Sequence, residues 1–235
     1  MLGQVREDLV HVRASDPAAR SALETALTYP GLHAIWAHRL ASWLWHHHLG
    51  FAARLVAATA RLLTSVDIHP AATIGRRLFI DHAVGVVIGE TAVVGDDVTI
   101  YQGVTLGGTT LKHGKRHPTV GDRVTIGSGA KVLGAITIGA DARVGANSVV
   151  LRDVPPGAIV VGVPGQVFSS DGPIAAAIEG RLEPPRTDPV AASLSSILKR
   201  IDELEERLGE SHDAKLVGPQ ADGTWAASQL EDFSI

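Results

Sequence analysis

Two histidines sit beside groups that would put them to chemical use: Asp81 precedes His82, and Arg116 precedes His117. An imidazole titrates near neutral pH, so His82 with a carboxylate behind it suits general-base work on a hydroxyl or an amine. Adjacent side chains on a strand point to opposite faces, which makes Asp81 a poor orienter for its own neighbour. Asp67, about one turn of the repeat described below earlier in the chain, is placed to reach the ring. The competing reading of His82 is a solvent-facing side chain on a β wall. Arg116 and His117 suit a small carboxylate, because a guanidinium grips one with two parallel hydrogen bonds. Their competing reading is a pair of solvated loop charges.

The surrounding stretch, GGTTLKHGKRHPT at 107–119, holds Lys112, His113, Lys115, Arg116 and His117, the densest cationic cluster in the chain. It is not a phosphate-binding P-loop. Five residues separate Gly108 from Gly114 where that motif has four, and Lys115 is followed by Arg116 instead of Ser or Thr. His82, His113 and His117 could be drawn together as a three-histidine metal site. Two of them lie among cations that would repel a metal, so none is expected. His46, His47 and His48 are consecutive, point in different directions on a helix and read as a solvated helix end. Asp16 before Pro17 has the pattern of a helix N-cap with Pro at the first helical position.

Such residues need a rigid carrier, and a six-residue repeat supplies it. Ile68, Ile74 and Ile80 are six apart; Ile88, Val94, Ile100 and Leu106 continue the step, shifted by two. Val120, Ile126, Val132, Ile138, Val144 and Val150 resume it, and Gly follows many of these aliphatics. Four positions on sits another small or aliphatic residue, as at Ala92, Val98, Val124 and Ala142. This is the pattern of a parallel β-helix of triangular section. From Leu106 to Val120 the gap is 14, where 12 would keep phase. Residues 107–119 are therefore expected to form an extruded loop, and loops leaving rigid scaffolds are where function concentrates.

Residues 1–66 read as an N-terminal helical domain. One segment follows Asp16-Pro17 up to the Tyr29-Pro30-Gly31 break, an amphipathic helix carries His33, Trp36, Leu40, Trp43 and His47, and a third helix covers 51–63. The β-helix domain spans 67–165, ended by Pro155-Pro156-Gly157 and Gly162-Val163-Pro164-Gly165. Residues 166–235 read as a linker, a short heptad seam (Leu194, Ile197, Ile201, Leu204, Leu208) and a flexible tail. With 45% hydrophobic but only 4% aromatic residues, the core must be thin layers of small branched side chains. A net charge of −4 gives no general attraction to nucleic acid. The absence of cysteine excludes disulfides, thiolate zinc sites and a covalent Cys nucleophile. The acidic N-terminus does not read as a signal peptide, and residues 51–63 carry Arg54 and Arg61 and fall short of the roughly 20 apolar residues a membrane span needs. The expectation is a cytoplasmic protein with no membrane association.

DIHPAA at 67–72, FIDHAVGVVIGETA at 79–92, VTLGG at 104–108 and KRHP at 115–118 resemble the serine O-acetyltransferases. The likeness continues through VTIGSGAKVLG at 124–134 and GVPG at 162–165, and reaches back to SDPA at 15–18 and PGLHAIWAHRLASWLW at 30–45. It implies a mainly β fold, a left-handed parallel β-helix behind N-terminal helices, with a hand opposite to the usual crossover rule. It implies acetyl transfer from acetyl-CoA to L-serine, in cysteine biosynthesis. His82 would be the general base and Asp67 its carboxylate; Arg116 and His117 would hold the serine carboxylate, Asp16 and Asp81 the ammonium. CoA would lie at a subunit boundary along Gly108, Thr109, Ser128, Arg143 and Ala146. A homotrimer is implied; the short helical part leaves a dimer of trimers open. The C-terminal Ile235 resembles the residue that enters O-acetylserine sulfhydrylase. Two alternatives stand beside this: a hexapeptide acetyltransferase for a sugar or antibiotic, which has no need of Arg116, and a non-catalytic scaffold that binds a partner through its tail.

Overall fold

The computed structural model describes residues 2–169, 197–201 and 203–204. The repeat aliphatics stack into three ladders. Ile68, Ile88, Leu106, Val132 and Val150 line a first wall. Ile74, Val94, Val120 and Ile138 line a second, and Ile80, Ile100, Ile126, Val144 and Val160 a third. Every pairing in these ladders is parallel, between strands two or three residues long, and every rung except the half-buried Ile74 is buried. Ala92, Val98, Val124, Ala130 and Ala142 fill the space between rungs. The fold is a left-handed parallel β-helix with N-terminal helices, as the spacing and the resemblance together imply.

Two coils depart from the regular period. Ile68 pairs with Ile88, 20 residues on, because the corner before Ile88 is longer and turns through His82 and Ala83 at φ 57° and 54°. Val94 pairs with Val120, 26 residues on, against 18 between Ile88 and Leu106. The insertion is thus eight residues, not the two implied by the sequence gap, because the next rung after Leu106 belongs to the second wall, one six-residue step away.

Four helices precede the prism: α1 (Leu2–Ser15), α2 (Ala22–Thr28), α3 (Pro30–His46) and α4 (Gly50–Thr64). The first was not foreseen. Asp16 is not a helix N-cap: α2 is capped by Ser21, whose Oγ accepts the Glu24 N–H at 3.2 Å. The S-x-x-E spacing of Ser21 and Glu24 wins the helix start, and Asp16 instead closes a turn on the Ala18 N–H at 2.7 Å. Ala34 and Ile35 of α3 join the β-helix core at its first coil. Beside them Val12, Leu32 and Phe79 form a smaller cluster, tied by the buried Asp8, which accepts from Arg39 at 2.5 and 2.9 Å and from Trp36 Nε1 at 3.0 Å. Gly31 permits this packing, since a Cβ there would lie 2.1 Å from the Ile80 carbonyl oxygen.

At the corner between the second and third walls, Arg77, Asp97, Arg123 and Asp141 occupy corresponding positions, all with φ between 55° and 62°. Arg77 grips Asp97 at 2.5 and 2.7 Å, Arg123 grips Asp141 at 2.7 and 2.8 Å, and Glu7 of α1 meets Arg77 at 2.7 Å. The linker expected from residue 166 does not begin there, since Gln166–Phe168 form a strand antiparallel to Ile159–Val161; its remainder over 170–192, with Leu194, Leu208 and Ile235, lies outside the described residues, while Ile197, Ile201 and Leu204 are helical and exposed. Among the described residues no helix is long and apolar enough to cross a membrane.

Candidate active site

The candidate residues gather on two edges of the prism. His82 lies on the edge between the third and first walls, with 73% of its side chain exposed. Asp81 Oδ1 accepts the His82 backbone N–H at 2.9 Å, and its Oδ2 lies 3.8 Å from His82 Nε2. The expectation that strand alternation would separate the two side chains is corrected here: His82 is in a left-handed corner, not on a strand, so the alternation does not apply. Asp16 approaches the same edge from the N-terminal segment. Its Oδ2 accepts the Tyr29 hydroxyl at 2.5 Å. That hydroxyl, then the Ala18 N–H, hold the Asp16 carboxyl below its ordinary range, with a further electrostatic contribution from His82.

Arg116 and His117 lie on the edge between the first and second walls, where the inserted loop rejoins the prism. Thr91 is their anchor. Its Oγ1 accepts the backbone N–H of Arg116 at 3.0 Å and of His117 at 3.1 Å, and lies 2.9 Å from His117 Nδ1. His117 Nδ1 also accepts the Thr91 N–H at 3.2 Å. An Nδ1 that accepts a backbone proton leaves the neutral ring's own proton on Nε2. Burial first, then the Arg116 charge, push the His117 pKa down, which keeps the ring in that neutral form. Arg116 pairs with Glu90, whose pKa falls mainly through that hydrogen bond. Lys115 Nζ donates to the Thr91 carbonyl at 2.7 Å.

The His117 ring rests on Gly89, where a Cβ would meet ring Cδ2 at 2.0 Å and Nε2 at 2.1 Å. Gly89→Ala must therefore displace the ring. If His117 holds an acceptor's carboxylate, as the resemblance implies, the expected outcome is a fall in kcat/KM for that acceptor on the order of 10²-fold, which a misplacement of about 1 Å can cause. Thermal melting in parallel checks that the prism is intact.

Asp67 opens the first wall, and its Oδ2 lies 3.4 Å from Arg61 of α4. It lines a cleft of about 610 Å³ together with His69, Glu90, Arg116 and His117. It makes no hydrogen bond or ion pair with His82 among the described residues of this chain. Gly108 and Thr109 are exposed at the start of the inserted loop. Ser128, whose Oγ donates to Gln102 Oε1 at 3.2 Å, and the exposed Ala146 sit on the His82 edge in later coils; Arg143 is on the third wall. His82 and His117 are on different edges. Sequence reasoning missed Tyr29, Glu90, Thr91 and His69. Glu90 and Thr91 stand in the quoted GETA segment, but Tyr29 was read only as part of a helix break.

Residues 117–152 match the bacterial transferase hexapeptide family (six repeats). The serine acetyltransferase of Mycobacterium tuberculosis (strain ATCC 25618 / H37Rv) is 55% identical over 235 residues, the whole of both chains. The chain belongs to the serine acetyltransferase family. It is an acyltransferase. Among solved serine acetyltransferases, the soybean enzyme complexed with serine is 47% identical with a TM-score of 0.69, covering 71% of this chain and 68% of that one. The Brucella abortus strain S19 enzyme in complex with coenzyme A is 43% identical with a TM-score of 0.70, covering 73% of this chain and 68% of that one. Serine acetyltransferases thus share the prism that separates the two charged edges here.

Proposed function

We propose that this chain transfers the acetyl group of acetyl-CoA to the hydroxyl of L-serine, giving O-acetyl-L-serine and CoA, the first step of cysteine biosynthesis. The observation that carries the reading is the division of charge. Asp16 and Asp81 flank His82 on one edge, while Arg116 and a neutral His117 stand on the other. A zwitterion with a hydroxyl fits such a pair: its ammonium meets Asp16 and Asp81, its carboxylate meets Arg116 and His117 Nε2–H, and only the hydroxyl is left to react. Sugars lack both charged ends.

The two edges bound the same wall, which at about 3.3 Å per residue is roughly 15–20 Å wide. Serine cannot bridge that distance. Three-fold association sets the His82 edge of one protomer against the Arg116 edge of the next, and each site is then shared. Acetyl-CoA is the co-substrate. Gly108 and Thr109 lie on one edge; Ser128, Arg143 and Ala146 lie on or beside the other, up to about 15 Å further along the stack of coils. Together they would line a groove for the extended cofactor.

His82 takes the hydroxyl proton as the serine oxygen forms a bond to the thioester carbon, and the carbonyl π pair moves onto oxygen. Collapse of that tetrahedral intermediate breaks the C–S bond, and the CoA thiolate receives the proton from the imidazolium. Transfer is direct, in keeping with a chain that has no cysteine. Asp67 is assigned to orient and stabilise the imidazolium, while Asp81, whose Oδ2 lies 3.8 Å from His82 Nε2, is assigned to the ammonium beside it. Ile235 is assigned as the contact with O-acetylserine sulfhydrylase. Thiol release from acetyl-CoA, measured across L-serine, L-homoserine and sugars, tests the reading. L-serine should lead by about 10²-fold or more; a sugar turned over independently of Arg116 would establish the other acceptor class instead.

A further inference from the structure

We infer that the Tyr29 hydroxyl is a positioning group for the acceptor: it fixes the Asp16 carboxylate at the His82 edge and so sets the affinity for the acceptor's ammonium. The inference rests on the ammonium role proposed for Asp16. Tyr29 is the single residue between α2 and α3, with φ −95° and ψ 100°. Its turn is held down because Gly31, two residues on, is pressed against the Ile80 carbonyl, immediately before Asp81. The ring packs against the Val12–Leu32–Phe79 cluster, which settles where the hydroxyl can go.

From there Oη donates to Asp16 Oδ2 at 2.5 Å, across 13 residues of chain, while among the described residues Asp16 Oδ1 accepts the nearby Ala18 N–H alone, at 2.7 Å. The Ala18 bond is local and moves with Asp16. The Tyr29 bond is the one that references the carboxylate to the prism. A carboxylate offers about four lone-pair directions, so two remain for a ligand once these bonds are made. The phenol, pushed up to about 12 chiefly by this hydrogen bond, stays a donor at any working pH.

Tyr29→Phe keeps the ring and deletes the donor. The expected result is a KM for L-serine raised about tenfold, the effect of losing one hydrogen bond to a charged group. The kcat, the KM for acetyl-CoA and the melting temperature should change little. Asp16→Ala should raise the serine KM at least as much, and adding Tyr29→Phe to it should do nothing more. If Asp16→Ala raises the serine KM while Tyr29→Phe does not, this inference alone is overturned. If neither variant moves it, the ammonium reading of Asp16 falls and takes the inference with it. If Tyr29→Phe raises both KM values, or keeps its effect in the Asp16→Ala background, the residue acts through packing and the inference is wrong.

Discussion

His82→Asn should lower kcat by about 10³-fold, the middle of the range for deleting a general base, while the protein melts at its usual temperature. The second half of that expectation follows from the geometry. The His82 side chain is 73% exposed, so little packing is lost. Its backbone is left-handed at φ 57°, a conformation that Asn adopts more readily than most residues. His82→Ala should behave alike in turnover. The measurement is thiol release with both substrates saturating, beside a thermal melt. Turnover near the wild-type level from a folded variant would show that the base lies elsewhere.

Mixing two dead enzymes should restore activity. If each site takes His82 from one protomer and Arg116 from the next, His82→Asn and Arg116→Ala trimers are each inactive or nearly so. Every mixed trimer, whatever its composition, contains one junction at which an intact His82 edge meets an intact Arg116 edge. Random co-assembly at equal expression gives mixed trimers in about three of four cases, so roughly a quarter of wild-type activity should return. A site contained in one chain predicts no recovery at all. The readout is specific activity of the co-expressed, doubly tagged and doubly purified protein against each parent, with the purified fraction corrected for its enrichment in mixed trimers.

The prism was legible because one period governs it. Within each of the runs Ile68 to Ile80, Ile88 to Leu106 and Val120 to Val150, every aliphatic falls where the six-residue step puts it, and all of these rungs except the half-buried Ile74 are buried. The loop was located by the break in that step, yet its length was misjudged, because a sequence gap does not say which wall receives the next rung. The candidate site was legible only one residue at a time. His82, Asp81, Arg116 and His117 were singled out by type, but the bonds that hold His117 and Asp16 run to Thr91 and Tyr29 across 26 and 13 residues. No local pattern carries such information. Asp16 was misread as a cap because Asp-Pro is a helix-start signal in isolation, and the stronger Ser21–Glu24 pair lies just beyond it. Asp81 was discounted by a rule for strands that lapses at a left-handed corner.

A chain that grows by laying one coil on another has an inexpensive way to go wrong. The rungs are nearly interchangeable, so a coil can be passed over and the next one seated in its place with little loss of apolar contact. The corner that runs Arg77, Asp97, Arg123, Asp141 disfavours that shortcut. Passing over a coil would set Arg77 against Arg123, or Asp97 against Asp141, and like charges repel where opposite ones had met. Alternation of sign along one seam thus tilts assembly toward the correct parity of layers, a distinction the hydrophobic interior does not make.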